Sequence, residues 1–182
     1  MTITYEFDGA TGFDSGCTPA TAFNKNARLG RIDSTFLSRL IPPATTDEIS
    51  MSWTTPGGEP GFADWPLGAY VARININAID SVASIKFQLL RVQSGCTVDE
   101  TLGTSGSVST TGNKTFTVNT DPTSGAAGDR FQCRILGSNS DLHMTQNFTI
   151  NPDISTRSVI EGPWSVGGIA IPIVYHHRQR NF

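Results

Sequence analysis

Histidines are the residues that most often carry acid–base and metal chemistry, and this chain has three of them, at positions 143, 176 and 177. His143 lies in a polar turn just before a predicted strand. His176 and His177 are adjacent, so on a strand their side chains would point to opposite faces and could not easily bind one metal ion. We interpret His143 as a loop residue and predict no metal site at the histidine pair.

Nucleophile motifs are missing or incomplete. The stretch "GTSGS" at 103–107 departs from the G-x-S-x-G nucleophile elbow because Ser107 stands where the last glycine belongs. The three cysteines, Cys17, Cys96 and Cys133, form no C-x-x-C pair, and no phosphate-binding loop or dinucleotide fingerprint occurs. Cys133 alternates with apolar neighbours, which favours a buried structural thiol. We therefore predict no enzymatic activity and no cofactor.

Paired carboxylates occur at 47–48, at 99–100, and as Glu59 with Asp64. A glycosidase needs two carboxylates across a cleft, and the sequence alone leaves that arrangement open. The pair at 99–100 is interpreted as turn residues.

Two features keep a ligand-binding alternative open. Asp8 and Asp14 lie in a loop rich in oxygen ligands for Ca²⁺, although their spacing is not that of a regular calcium loop. Trp53, Trp65 and Trp164 offer flat faces on which sugars can stack. Core packing is the competing interpretation, because Trp53 extends an apolar strand face and the other two adjoin prolines.

Length and composition indicate one all-β domain. The chain has 182 residues, of which 37% are hydrophobic and 16% charged. Both fractions are below those of typical globular proteins, and residues that favour turns and exposed strands, such as Gly, Ser, Thr, Asn and Pro, take their place. A net charge of −3 gives no electrostatic basis for nucleic-acid binding. The most apolar stretch, 164–175, is too short to span a bilayer and contains Pro172, so we expect no membrane contact. Without a visible export signal, the odd number of cysteines suggests synthesis in a cytoplasm.

Apolar and polar residues alternate with the period of a half-buried strand in many short segments separated by turn residues. In "GDRFQCRILG", for example, Phe131, Cys133 and Ile135 are predicted to face the core, and Arg130, Gln132 and Arg134 the other side. Further alternating segments lie at 3–7, 49–53, 70–77, 85–89, 116–118 and 144–150. The segment 31–43 reads as a strand or a helical turn, and 93–113 as a polar connection containing a weak strand.

These segments predict an antiparallel β-sandwich, jelly-roll-like, with an irregular N-terminal arm. Residues 1–67 are expected to form the arm and first strands packed on the sandwich. Residues 68–182 are expected to form the sandwich core with an extended C-terminal tail, in one domain overall. The segments 70–77 and 85–89 are expected to pair with each other, and Met144, Gln146, Phe148 and Ile150 to share one face.

The regular half of the chain carries an ordered set of sequence segments. These are "WPLGAYVARINI", "SIKFQLLRVQSGCTV", "KTFTV" and "AAGDRFQCRILGSNSDLHMTQNFTIN", within residues 65–152. They resemble a recurring β-sandwich in uncharacterised tailed-bacteriophage virion proteins of the minor capsid or decoration type. The matching positions are Gly68, Tyr70, Arg91, Ser94, Gly95, Gly128, Asp129 and Arg130, with His143 in the turn. Cys96 and Cys133 depart from that pattern.

The resemblance implies a non-enzymatic structural protein of a phage virion, made in the host cytoplasm. The favoured role is a capsid decoration or cement protein that binds the head surface and stabilises it. Its partners would be the major capsid protein or other virion proteins, and further copies of itself in a homo-oligomer such as a trimer. The alternatives are a phage tail, neck or fibre component that binds a receptor or carbohydrate, and a carbohydrate-binding module outside any virus.

Aromatic and basic side chains in the irregular segments are the predicted partner-binding residues, because assembly contacts concentrate in loops and termini. Burial within their own domain is the alternative for the aromatic ones. The predicted set is Phe13, Phe23, Phe36, Phe62, Trp65, Arg178, Arg180 and Phe182.

Overall fold

A computed structural model describes residues 4–7, 24–28, 37–55, 64–65, 68–93, 95, 97–120, 123–124, 128–151 and 159–162. Within these ranges the chain forms strands and turns and no helix. The strands are β1 (Thr4–Phe7), β2 (Asn24–Arg28), β3 (Leu37–Ile41), β4 (Thr45–Thr54), β5 (Asp64–Trp65), β6 (Gly68–Ile79), β7 (Ala83–Val92), β8 (Val98–Thr104), β9 (Gly112–Thr120), β10 (Thr123–Ser124), β11 (Arg130–Asn139), β12 (Gln146–Asn151) and β13 (Val159–Glu161).

Eight of these strands pair in a nested order. The innermost pair is β7 with β8, followed outwards by β6 with β9, β4 with β11, and β3 with β12, all antiparallel. Further pairing of β12 with β6 and of β11 with β7 arranges them in two four-stranded sheets. Sheet I has the order β3–β12–β6–β9 and sheet II the order β4–β11–β7–β8. This is the strand order of a jelly roll, and it confirms the predicted all-β antiparallel sandwich.

The short strands join the two sheets along one side. β13 pairs with β6 beyond the end of β12, β1 pairs with β13, and β2 pairs with β1 and runs parallel to the end of β4. A separate two-stranded ribbon consists of β5 and β10. Residues 1–67 were expected to form an arm and the first strands. They supply β3 to sheet I and β4 to sheet II.

The expected pairing of β6 with β7 is wrong. β6 pairs with β9, β12 and β13, whereas β7 pairs with β8 and β11. The three residues 80–82 between them lead the chain from sheet I to sheet II. Both strands nevertheless turn their apolar sides to the same core. Each strand therefore shows the alternation of apolar and polar residues that two paired strands of a hairpin would show.

The core lies between the sheets and consists of the side chains that the alternation placed inward. The large fully buried ones are Trp53, Tyr70, Phe87, Phe116, Phe131 and Phe148. Phe87 of sheet II and Phe116 of sheet I have ring centroids 6.3 Å apart, which is contact distance for an aromatic pair.

Sheet II is also buried on part of its outer side, contrary to the half-buried strand predicted for β11. Arg130 and Gln132 were expected to face solvent, but both are buried. The Gln132 amide donates to Thr54 Oγ1 at 2.8 Å and accepts from Arg134 Nε at 2.7 Å. Desolvation lowers the pKa of both Arg130 and Arg134.

Two glycines allow close approaches where the sheets meet at their edges. A Cβ at Gly103 of β8 would lie 2.5 Å from Val118 Cγ1 of β9. A Cβ at Gly137 of β11 would lie 2.6 Å from Ser50 Oγ and 2.9 Å from two side-chain carbons of Ile41. Side chains at these positions would push β8 away from β9, and β3 away from β11.

Gly137→Ala should lower the free energy of unfolding by about 1–3 kcal/mol, because Ile41 is buried and has little room to move. Urea denaturation measures the change. Gly106→Ala is the control, since nothing lies within 4 Å of a Cβ there. Equal stabilities for the two variants would contradict the assigned contact.

Candidate interaction surface

Four connections meet at one end of the sandwich, which we call the loop end. They are 42–44, 80–82, 105–111 and 140–145, which join β3 to β4, β6 to β7, β8 to β9 and β11 to β12. Hydrogen bonds link three of them directly: Ala44 N donates to Asp141 O at 2.7 Å, and Ser140 N donates to Val82 O at 3.3 Å. The loop end is therefore one connected surface.

The side chain of Asn139 organises the loop end from beneath. This residue ends β11 and is only 2% exposed. Its Nδ2 group donates to the carbonyl oxygens of Ile41, Pro42 and Met144 at 3.1, 3.0 and 2.9 Å. Its Oδ1 accepts from Asp141 N at 2.9 Å. One buried amide thus holds the turn after β3 against the loop before β12.

Two aspartates fix the backbone of the outer loops. Asp141 Oδ1 accepts the N–H groups of His143 and Met144 at 2.8 and 2.9 Å, which lowers the pKa of the Asp141 carboxyl. Asp80 Oδ2 accepts from Asn147 N at 2.6 Å. Side-chain bonds of this kind give a short loop a defined conformation.

A bulge in β4 adds a third fixed point. Asp47 has a φ of 53°, a left-handed conformation that favours glycine. Its carboxylate accepts from Lys86 Nζ at 2.8 Å and from Ser138 Oγ at 3.1 Å. The hydrogen bond from Lys86 is the largest cause of the lowered pKa of Asp47. These bonds hold the bulged backbone against β7 and β11.

Aliphatic side chains project from these fixed loops into solvent. Leu142 is 70% exposed, Met144 64% and Val82 39%. Met144 was predicted to share the inward face of β12, but that strand begins only at Gln146, so Met144 belongs to the loop. Apolar side chains displayed on a rigid frame are typical of protein–protein contact sites.

A charged cluster lies at the opposite end, where β7 ends and β8 and β11 begin. Arg91 bonds to Asp99, lies 3.5 Å from Glu100 Oε2, and has its Nε 3.8 Å from Asp129 Oδ2. The prediction that residues 99–100 are turn residues is wrong, because both lie in β8. Gly128 has a φ of 103°, a conformation that favours glycine, and lies in the turn before β11. We assign a structural role to the cluster, because Arg91 and Asp129 are both buried.

An open groove of about 470 Å³ runs between β3 and β4. Its lining mixes the aliphatic Leu40 and Ile49 with the charged Arg39 and Glu48. Burial lowers the pKa of Arg39 to about 10. The lining contains no nucleophile paired with a base.

Most of the predicted partner-binding residues lie outside the described ranges: Phe13, Phe23, Phe36, Phe62, Arg178, Arg180 and Phe182. The backbone of Trp65 pairs with Thr123 in the β5–β10 ribbon, and its side chain is outside the description. Eight other residues named in the sequence analysis also lie outside the described ranges: Asp8, Asp14, Cys17, Glu59, Cys96, Trp164, His176 and His177.

Cys133 and His143 both lie within the described ranges. Cys133 is fully buried, as predicted, and burial raises the pKa of its thiol. His143 is exposed in the turn before β12, also as predicted. In the described part of the chain, no three His, Cys, Asp or Glu side chains are grouped to hold a metal ion. None of the described residues form a helix long and apolar enough to cross a membrane.

Sequence reasoning missed the loop-end residues. The signal that could have found them is "SDLHMT", in which two aliphatic side chains stand in a polar turn. No protein-family model matches the chain, and no curated protein matches it either. The resemblance to phage virion proteins therefore stays a prediction.

Asn139→Ala should cost about 2–3 kcal/mol of unfolding free energy, since it leaves the buried carbonyl of Ile41 without its donor and removes the bonds to Pro42, Met144 and Asp141. It should also speed amide hydrogen exchange at Asp141, His143 and Met144. Asn77→Ala, on the exposed side of β6, is the control and should change neither quantity. Unchanged exchange in the Asn139 variant would show that the loops are fixed by other contacts.

Arg91→Met should cost about 3 kcal/mol, because it removes a buried guanidinium that lies among the carboxylates of Asp99, Glu100 and Asp129. Arg73→Met is the matched control. Arg73 bonds to Glu161 at 2.5 Å, but its side chain is 51% exposed, so its loss should cost less than about 1 kcal/mol. Urea denaturation of both variants measures the difference. Similar losses would contradict the structural role assigned to the Arg91 cluster.

Proposed function

We propose that this protein is a non-enzymatic structural component of a tailed-phage virion, and that it holds to other virion proteins through its loop end. The favoured place is the head surface, where the protein would act as a decoration or cement protein that stabilises the capsid. A tail or neck position is the alternative, and it would use the same kind of contact.

The observation that carries the proposal is the exposure of aliphatic side chains on a rigid frame. Fully burying a Leu, Met or Val side chain gains about 1.5–3 kcal/mol each. The loops that carry Val82, Leu142 and Met144 are already fixed by Asn139, Asp80 and Asp141. Binding would therefore lose little conformational entropy, which improves affinity for a given contact area.

Repetition would turn a modest contact into a durable one. A virion offers many identical positions, and neighbouring contacts raise the effective concentration of each copy at its site. A single loop end thus needs only moderate affinity. Such a role requires a stable, exposed contact surface and does not require a ligand-binding pocket.

The chemistry of the loop end favours a protein partner over a sugar. Its described exposed side chains include aliphatic ones but no Trp, Tyr or Phe ring on which a sugar could stack. The jelly roll is compatible with either role, because it occurs in viral capsid proteins and in lectins. The fold supports the proposal only by analogy, and the loop end carries it.

Leu142→Glu combined with Met144→Glu should lower the number of copies bound per particle by about tenfold or more, since charges in an apolar contact are costly. Purified source particles lacking this protein would be incubated with each variant, sedimented, and the bound protein quantified. Both residues are exposed, so the fold should be unaffected.

Thr117→Glu is the matched control, since it adds a carboxylate on the exposed side of β9, away from the loop end. It should bind like the unchanged protein. The proposal is wrong if the unchanged protein does not bind the particles, or if the loop-end variant binds them equally well.

A further inference from the structure

We propose that two copies of this protein pair edge to edge through β9, in an antiparallel register centred on Phe116, so that their two sheets I form one continuous eight-stranded sheet. The contact uses a different surface from the loop end and does not rest on the proposed function. It follows from the condition of the four sheet edges and from the pattern of side chains along β9.

The edges of the two sheets differ in how well they could accept another strand. The open edge of a sheet presents unpaired backbone groups, and native proteins block such edges with short strands, bulges or charged side chains. Sheet I ends at β3 and β9, and sheet II ends at β4 and β8. Within the described residues, three of these four edge strands are short or irregular.

These three strands are poor templates for a second chain. β3 has only five residues. β4 has two register shifts in its pairing with β11, and Asp47 within it has the left-handed φ of 53°. The last residues of β4 also pair with β2. β8 has two register shifts in its pairing with β7. Such shifts bend a strand and interrupt its row of hydrogen-bonding groups.

β9 is the long and regular edge. Its nine residues pair with β6 without any shift, from Gly68 opposite Thr120 to Ile76 opposite Gly112. Among the described strands, β6 is its only partner. The strand extends over about 27 Å at ~3.4 Å per residue. Every second residue directs its N–H and C=O groups away from β6, and this row can pair with a further strand.

The outward side chains of β9 are complementary to those of a second β9. When Phe116 lies opposite Phe116 of the other copy, Thr115 lies opposite Thr117, and Asn113 lies opposite Asn119. These four polar residues are exposed in the single copy. Threonine pairs across neighbouring strands are favourable, because their hydroxyls can form hydrogen bonds. The outer surfaces of the two sheets therefore join without a charge at the junction.

Lys114 restricts the register of this pairing. It is the one charged residue of β9, and it alternates in phase with the buried Phe116 and Val118. In the register centred on Phe116, Lys114 lies opposite Val118, and the two lysines are about 14 Å apart at ~3.4 Å per residue. A slip of four residues would place Lys114 opposite itself, and like charges in opposite positions are unfavourable. The lysine thus disfavours that slipped pairing and is compatible with the proposed one.

The pairing has twofold symmetry, so the same surface is used by both copies and the assembly closes as a dimer. β12, which follows the loop end, lies two strand positions from β9 in sheet I. Antiparallel pairing also points the two loop ends in opposite directions. The dimer contact therefore leaves both loop ends available for the contact with virion proteins.

Analytical ultracentrifugation of the full-length protein over a range of concentrations tests the inference. The unchanged protein should form a dimer that dissociates on dilution. Thr115→Glu combined with Thr117→Glu should weaken dimerisation by about tenfold, because each new carboxylate lies opposite a carboxylate of the other copy. Both positions are exposed, so the variant should keep its fold.

Thr115→Glu combined with Thr117→Lys is the matched control. It changes the same two positions but places opposite charges across the junction, so it should dimerise as readily as the unchanged protein. Thr117→Glu alone should also dimerise, because in the proposed register Thr117 lies opposite Thr115 of the other copy and not opposite itself.

Amide hydrogen exchange identifies the surface that is used. The N–H groups of β9 that point away from β6 should exchange slowly in the dimer and faster after dilution. They should also exchange faster in the variant with two glutamates at the concentration that keeps the unchanged protein dimeric.

A protein that is monomeric at all concentrations overturns the inference. So does a dimer that the two glutamates leave intact, or one that is lost equally in the variant with Glu and Lys. Loss of the dimer in Thr117→Glu alone overturns the register centred on Phe116. The particle-binding test of Leu142→Glu with Met144→Glu does not change β9, so its outcome decides the proposed function separately.

Discussion

The buried amide of Asn139 is the interaction on which the rest of this structure depends. It lies at the end of β11, the strand that joins β4 to β7 in sheet II. Its Nδ2 group donates to the carbonyl groups of Ile41 and Pro42, where sheet I passes into sheet II, and to that of Met144, in the loop before β12. The same group therefore links the sheets at one edge and gives the loop end its shape.

The nested pairing of eight strands explains why the two ends differ. Every second connection lies at the loop end, and hydrogen bonds link three of the four to one another, while the fourth, 105–111, bonds to β7. At the other end, Arg91 joins β7, β8 and β11 through carboxylates, which is a contact within the fold. Charged side chains pair with one another at that end, where Val98 is 40% exposed, whereas the loop end displays Leu142 and Met144 at 70% and 64% exposure. That contrast gives the loop end its character as a surface for association.

Local pattern was enough to predict the strands but not their partners. Tyr70, Phe87 and Phe131 alternate with polar neighbours, so their burial followed from the sequence. The same alternation arises whether two strands pair or face each other across the core, so β6 and β7 were wrongly paired. Burial of Gln132 depends on a hydrogen bond to Thr54, which is 78 residues away. Asn139 gave no local signal, because its role depends on loops brought together only by the complete fold.

The most direct test of the central claim is a cryo-electron microscopy map of the source particle. The account predicts a jelly roll present in many copies, with Val82, Leu142 and Met144 covered by another protein chain. Maps in which this end of every copy faces solvent, or in which the protein is missing from the particle, would contradict it.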